Sequence, residues 1–242
     1  MENIVSFSGG KDSTAMLLRM VELNMPIDKV VFADTTLEFP EMYDYIKKIK
    51  SLIPYKIIIV KAVHSWDDWF YGCWSKGKNT GVIRGFPYVT RMCWWQRDSK
   101  DVPLAKICKG NINYIGIAKD EEKRCDREVY KKGIFKFPLV EWGWTENDCI
   151  QYLKKRGLLN PLYKKFKRLG CWLCPKQSMS SLKSLYLYYP ALWEKLKKYE
   201  KDSPQGFKPD VKLKDLEIKW KNQTKLWPRS KGLNSIKSKK LV

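Results

Sequence analysis

Histidine is almost missing from this chain of 242 residues: His64 stands alone, and it reads as an ordinary loop or core residue rather than a ligand. Long apolar runs are missing too. The longest strand-like stretch, Ile57 to Val60, falls far short of the roughly 20 residues that a bilayer-spanning helix needs, so no membrane span is expected. The first residues hold no basic segment followed by an apolar one, which argues against a secretory signal. The expectation is a cytoplasmic protein whose seven cysteines are reduced, metal-bound or reactive rather than a disulfide framework. Neither G-x-G-x-x-G nor a Gly-Lys-Ser/Thr Walker A ending occurs, which sets aside the dinucleotide fingerprint and the P-loop. Repeats at solenoid periods are absent as well. What is present is an apolar content of 44%, enough for a packed core and too much for wholesale disorder. The length suits one α/β domain with an appendage, or two small domains.

Negative charge is scarce: 26 Asp and Glu face 47 Lys and Arg, a net +21. The imbalance is regional. Residues 1–60 carry seven basic and eight acidic side chains, so the remaining 182 residues hold +22. A field of that sign attracts polyanions, nucleic acid foremost; a lysine-rich, merely solvating surface is the plainer alternative. Anionic lipid is a poorer match, because the basic segments are short and interrupted at Pro204, Pro209 and Pro228.

Hydrophobic periodicity sets the order of elements. Asn3–Phe7 reads as a strand, Ser8-Gly9-Gly10 as a tight loop, and Ser13–Leu23 as a helix stopped by Asn24 and Pro26. A second strand, Lys29–Ala33, ends at Asp34. A helix over Pro40–Lys50 and a strand over Lys56–Val60 follow. Tyr114–Ile117 reads as a fourth strand and Thr145–Arg156 as a helix, with Thr145 as N-cap and Asp148 completing the capping pattern. This alternation predicts an α/β fold, a doubly wound, Rossmann-like parallel sheet. The character changes near Asn160, so residues 1–160 are expected to form the nucleotide-binding domain. Residues 161–242 are expected to form a Cys-containing, basic, mainly helical region. Its last part, 225–242, carries six basic residues and no acid and is expected to be mobile until it meets a partner.

The sharpest local signal is Ser8-Gly9-Gly10-Lys11-Asp12-Ser13 between a strand and a helix. Glycines bring backbone N–H groups close to a phosphate, and the helix directs its free N–H groups and positive dipole end to the same place. Lys11 can neutralise phosphate charge; Ser8, Ser13 and Thr14 offer hydroxyls; Asp12 is a candidate ligand for Mg²⁺. The bland alternative is an ordinary Gly- and Ser-rich turn.

This loop resembles the signature of the PP-loop ATP pyrophosphatases, the adenine nucleotide α-hydrolase-like superfamily. Within it, Asp34-Thr-Thr-Leu-Glu-Phe-Pro40, the Gly116–Arg124 loop, Asn160-Pro-Leu-Tyr163 and Gly170-Cys-x-x-Cys174 resemble segments of the phosphoadenosine phosphosulfate (PAPS) reductase family, in that family's order. The resemblance runs from about residue 3 to 176. It implies a five-stranded parallel sheet binding ATP at its C-terminal edge. Lys11 and Asp12 would be catalytic. Ser8, Gly9, Gly10, Ser13, Thr14, Asp34, Gly116, Lys119 and Arg124 would hold the nucleotide, with Lys123 also facing phosphate or sulfate oxygens. For Asp34 the alternative is a helix cap and for Arg124 a solvated charge run; Glu38 is evenly divided between a first-turn acid and a functional group.

The resemblance also implies an iron–sulfur role for the C-x-x-C pair. Cys171 and Cys174, with Cys93 from the segment Arg91-Met-Cys-Trp-Trp-Gln-Arg97, would ligate a [4Fe–4S] cluster with one open iron. Cys73, Cys108, Cys125 or Cys149 could close it. Zn²⁺ is the alternative metal, and a redox pair or core cysteines the metal-free ones. Trp94, Trp95 and Trp172 are read first as core, second as the wall of a cluster. The nucleophilic Cys in the Glu-Cys-Gly-Leu-His motif of thioredoxin-linked PAPS reductases has no counterpart after Cys174. Wording around the C-x-x-C also resembles sulfur-transfer members of the family, including DNA-phosphorothioation proteins. The leading expectation is therefore ATP-dependent sulfur transfer to nucleic acid, tRNA or DNA, with an external sulfur donor. The alternatives are a sulfite-forming APS or PAPS reductase using an external thiol, and a non-catalytic nucleic-acid-binding subunit. A homodimer is left open.

Overall fold

A computed structural model of the chain describes residues 1–88 and 92–226, with side chains through 223. Most of the basic 225–242 segment, expected above to be mobile, and Arg91 lie outside the described residues. β-Branched and aromatic residues build β1 (Asn3–Phe7), β2 (Lys29–Asp34) and β3 (Ile57–Lys61), alternating with helices α1 (Lys11–Glu22) and α2 (Pro40–Lys50). A long excursion then carries α3 (Trp66–Tyr71), α4 (Trp94–Gln96), a π-helical turn at Arg97–Asp101 and α5 (Val102–Cys108). The chain returns in β4 (Ile112–Ile115), a 3₁₀ turn at Lys119–Arg124, α6 (Glu128–Lys131), β5 (Ile134–Lys136), α7 (Pro138–Glu141) and α8 (Glu146–Lys155). After a 3₁₀ turn at Pro161–Lys164, the described chain ends in α9 (Met179–Tyr188), α10 (Pro190–Asp202) and α11 (Leu213–Leu226). The expected Cys-containing, mainly helical C-terminal region is there.

The five strands are all parallel, in the order β3-β2-β1-β4-β5. The chain starts in the middle, winds outward through β2 and β3, and crosses to the other side of β1 at β4. The direction of winding therefore reverses between β1 and β4. That reversal opens a crevice outside the C-terminal strand ends, the position where doubly wound sheets bind ligands. The two central strands bury Ile4, Val5, Phe7, Val30, Val31 and Phe32 almost completely, as strands covered on both faces must. α1 packs Ala15, Met16, Leu17 and Met20 against them. Residues after 160 share the same core: Leu162, Phe166, Trp172 and Leu173 belong to one apolar cluster with the sheet and α2.

Three details differ from the sequence expectation. α1 begins at Lys11, two residues early, because the glycine loop turns directly into the helix. β4 spans Ile112–Ile115 rather than Tyr114–Ile117, since Asn113 tucks its amide under the strand and donates to Cys108 and Asn111 carbonyls at 3.1 and 2.8 Å. Gly116 therefore lies past the strand, over the crevice. The weakly periodic segment after residue 201 contains α11, which buries Leu213, Leu216 and Trp220; Trp220 packs on Trp193 of α10 with ring centroids 5.6 Å apart.

Candidate functional site

The loop after β1 owes its shape to its glycines. Gly9 has φ +70°, and a Cβ there would overlap the Met42 sulfur, so only glycine makes this turn without strain. Gly10 caps α1 with no side-chain hydrogen bond, and the Lys11 N–H goes to the Tyr163 hydroxyl, so the other first-turn N–H groups are the ones left open to an anion. Ser8 and Ser13 brace the loop: the Ser8 N–H donates to Ser13 Oγ at 3.1 Å and the two hydroxyls lie 2.9 Å apart. Thr14, expected as a ligand, is fully buried and its hydroxyl donates to the Gly10 carbonyl at 2.7 Å; it fastens the first turn instead. Gly116 lies so close over α1 that a Cβ would sit 2.8 Å from the Ser13 N and Cα.

Two residues from the far side of the sequence fasten the same loop. Asn160, 1% exposed, donates to the Gly9 carbonyl at 3.0 Å and accepts the Leu162 N–H at 3.0 Å. The Tyr163 hydroxyl accepts the Lys11 N–H at 2.9 Å. Both stood in a segment of resemblance without a role; the structure makes them the loop's clamp.

Lys11 and Asp12 form an ionic cluster with a member the sequence reading missed. The buried Lys11 ammonium lies 3.0 Å from Asp12 Oδ2 and 2.5 Å from Glu146 Oε1. Burial pulls the lysine down, but the bonds to Glu146 and Asp12 outweigh it and hold the ammonium above its usual value. Burial pushes the Asp12 carboxyl up, Lys11 partly offsets this, and Glu146 and Glu121 add to the rise. Asp12 Oδ1 is buried with no hydrogen-bond partner. Such an orphaned oxygen is a suitable ligand for a hard cation, so Asp12 fits the expected Mg²⁺. Glu146 opens α8, behind the capping box of Thr145 and Asp148, and its N–H donates to Asp120 Oδ1 at 3.1 Å.

The other expected ligands are distributed around this centre. Asp34 closes β2, accepts the Thr36 N–H at 2.7 Å and the Tyr43 hydroxyl at 2.9 Å, and lies 3.3 Å from the Lys61 ammonium. Lys119 and Arg124 sit on the 3₁₀ turn beyond Gly116, ion-paired within that turn to Glu122 and Glu121. The Arg124 Nε is buried without a partner.

The thiols expected to act together do gather beside β2. Cys171 approaches the Thr35 hydroxyl at 3.4 Å, and that hydroxyl donates to Glu38 at 2.7 Å. Burial raises the Cys171 thiol above the usual range, and Glu38, Cys174 and Cys93 are among the neighbours that affect it. Burial also raises Cys93 and Glu38. Yet no group of three or more His, Cys, Asp or Glu among the described residues is placed to hold a metal ion. Cys93, Cys171 and Cys174 thus lie close enough to affect one another without forming a ligand set in this arrangement, and no chemistry is assigned to a [4Fe–4S] cluster or Zn²⁺. Cys149 is buried on α8, whereas Cys73 is exposed. Trp95 and Trp172 are core residues; Trp94 is 39% exposed with the Arg97 guanidinium over its ring. Among the described residues no helix is long and apolar enough to cross a membrane.

Residues 2–70 match the family model of the phosphoadenosine phosphosulfate reductase domain. An uncharacterized protein of Methanocaldococcus jannaschii is 32% identical over 207 residues, covering 79% of this chain and 40% of that protein. The phosphoadenosine 5'-phosphosulfate reductase of Photorhabdus laumondii is 28% identical over 174 residues, covering 67% of this chain and 65% of that protein. The crystal structure of a PAPS reductase from Candida auris, in a phosphate complex, superposes with a TM-score of 0.50 at 18% identity, covering 71% of this chain and 82% of that one; this is a likeness of fold. The chain spans about half the length of the first curated relatives it matches, 40% and 54%.

Proposed function

We propose that this chain, whose residues 2–70 match the PAPS reductase domain and which is 28% identical to a PAPS reductase over 174 residues, activates an acceptor with ATP for sulfur transfer, the acceptor being nucleic acid. The observation that carries the nucleotide half is the loop itself: a helix start with no cap from its own N-cap side chain at the sheet's switch point, with a lysine and an unpartnered carboxylate oxygen beside it. Bound Mg²⁺ on Asp12 would supply charge stabilisation at the phosphates. The acceptor oxygen attacks the α-phosphate, the bond from that phosphorus to the bridging oxygen breaks, and pyrophosphate leaves. Loop N–H groups and Lys11 stabilise the charge that develops on the leaving oxygens. Hydrosulfide then displaces AMP from the activated acceptor, forming the bond to sulfur as the bond to the adenylyl oxygen breaks. The thiols beside β2 support a site for sulfur chemistry one strand from the phosphates. The basic surplus supports a polyanionic acceptor.

Full-length protein incubated with ATP, Mg²⁺, hydrosulfide and either tRNA or DNA tests this reading. The expected result is equimolar AMP and pyrophosphate with a thiolated polymer; no AMP with either polymer overturns it. A second reading is favoured by the reductase relatives: reduction of an adenylyl sulfate with an external thiol. Sulfite release from adenosine 5'-phosphosulfate or its 3'-phosphorylated form would establish it in place of the first.

A further inference from the structure

Lys11 is the cation a PP-loop offers to phosphate, yet here it is already held. Its ammonium bonds Glu146 at 2.5 Å and Asp12 at 3.0 Å, and its backbone N–H is taken by the Tyr163 hydroxyl. Two carboxylates around one ammonium leave this cluster with a net negative side-chain charge. A polyphosphate approaching it meets repulsion until Lys11 is released or a cation joins. Glu146 lies outside the segments that carry the family resemblance. It comes from a different element, 135 residues away in sequence, and its side chain is 43% exposed while that of Lys11 is only 11% exposed. It is the more exposed half of the pair. Its backbone is anchored: Asp120 accepts the Glu146 N–H, and the Lys119 N–H donates to the Trp144 carbonyl at 2.7 Å. Outward rotation of the Glu146 side chain therefore frees Lys11 from α8 and leaves Asp12 as its remaining carboxylate partner.

We propose that Glu146 is a latch on Lys11, a positioning residue that competes with polyphosphate for the ammonium and makes tight nucleotide binding depend on a divalent cation. The proposal rests on the nucleotide reading above. The latch lowers the affinity for bare ATP, because the anion must displace a carboxylate. It costs little when Mg²⁺ arrives with the phosphates, because the cation compensates the extra carboxylate. Water, through the exposed side of Glu146, screens the effect to about tenfold in affinity rather than the hundreds expected for a dry pair.

The test is calorimetric titration of the full chain with ATP and, separately, with inorganic tripolyphosphate, each with and without Mg²⁺. The proteins are wild type, Glu146→Gln, Lys11→Met and the double variant, all checked by thermal melting. The expected result is that Glu146→Gln binds Mg²⁺-free ATP about tenfold tighter, that Mg²⁺ narrows the gap, and that the gain vanishes in the Lys11→Met background. A merely structural glutamate would lower the melting temperature without that pattern. Equal or weaker ATP binding by Glu146→Gln overturns the latch while the nucleotide reading stands. A gain for tripolyphosphate with no ATP binding supports the latch and overturns the nucleotide reading. Failure of every protein to bind either ligand overturns both.

Discussion

Asn160 satisfies two buried backbone groups at once, the Gly9 carbonyl and the Leu162 N–H. Truncation to Ala strands both in a site where water does not reach. Each unmet group costs about 1–3 kcal/mol, so Asn160→Ala is expected to lower urea stability by about 2–6 kcal/mol and to weaken ATP binding with it. A stability loss without any change in ATP affinity would show that the clamp does not shape the loop. Gly116→Ala probes the same loop from above. The added methyl meets the Ser13 backbone, not a flexible side-chain end, so about 1–3 kcal/mol of overpacking strain falls on the first turn of α1; ATP titration should show at least tenfold weaker binding. The loop was legible in the sequence because all its parts are neighbours: two glycines, a lysine and an aspartate between a strand and a helix. Glu146 and Tyr163 were not. Their partner Lys11 lies 135 and 152 positions away, and a first-turn Glu beside a good N-cap looks like dipole compensation and nothing more.

Elements were readable where periodicity was strong and obscured where lysine diluted it. The β-α-β-α-β half follows the expected order within two residues at the ends compared. β5 was implied only by family resemblance, since its three residues are an edge strand with exposed alternate positions. The C-terminal helices are held by a device that periodicity does not show. Glu217 on α11 accepts from Lys197 of α10 at 2.6 Å, from Lys221 at 2.5 Å and from the Trp193 indole at 3.2 Å. These donors hold its carboxyl down from 4.5 to about 2, against a smaller opposing push from burial. A lowered carboxyl contributes stability above its unfolded value and loses it as pH falls towards the folded one. The wild-type protein should thus lose stability from this group as pH falls between roughly 4.5 and 2. Glu217→Gln should be less stable at pH 7, with a flatter acid limb in denaturant melts followed by tryptophan fluorescence. An unchanged acid limb would remove Glu217 from the account of how α11 docks.

Over the whole molecule, the decisive property is the +22 beyond residue 60. Not all of that charge is free to meet a polyanion. Lys165, for example, is tied to Glu41 at 2.9 Å and to the Tyr189 hydroxyl at 3.0 Å, and Lys197 is paired twice. Lys164, Lys167 and Arg168 are different: they stand exposed on the turn between Tyr163, which clamps the glycine loop, and Cys171, which faces Glu38. A polynucleotide lying along that turn would pass between the proposed nucleotide crevice and the thiols. Each phosphate neutralised adds about 0.7 to the salt slope for a single strand. With about six contacts, affinity for single-stranded RNA should fall a few hundredfold between roughly 50 and 200 mM salt. Removing the three side chains together as K164A/K167A/R168A should lower the slope by about 2 and leave ATP affinity intact, because none of the three touches the loop. Filter binding across a salt series decides the matter. A wild-type slope near zero would make the surplus a solvating surface, and an undiminished slope in the triple variant would move the contact face away from this turn.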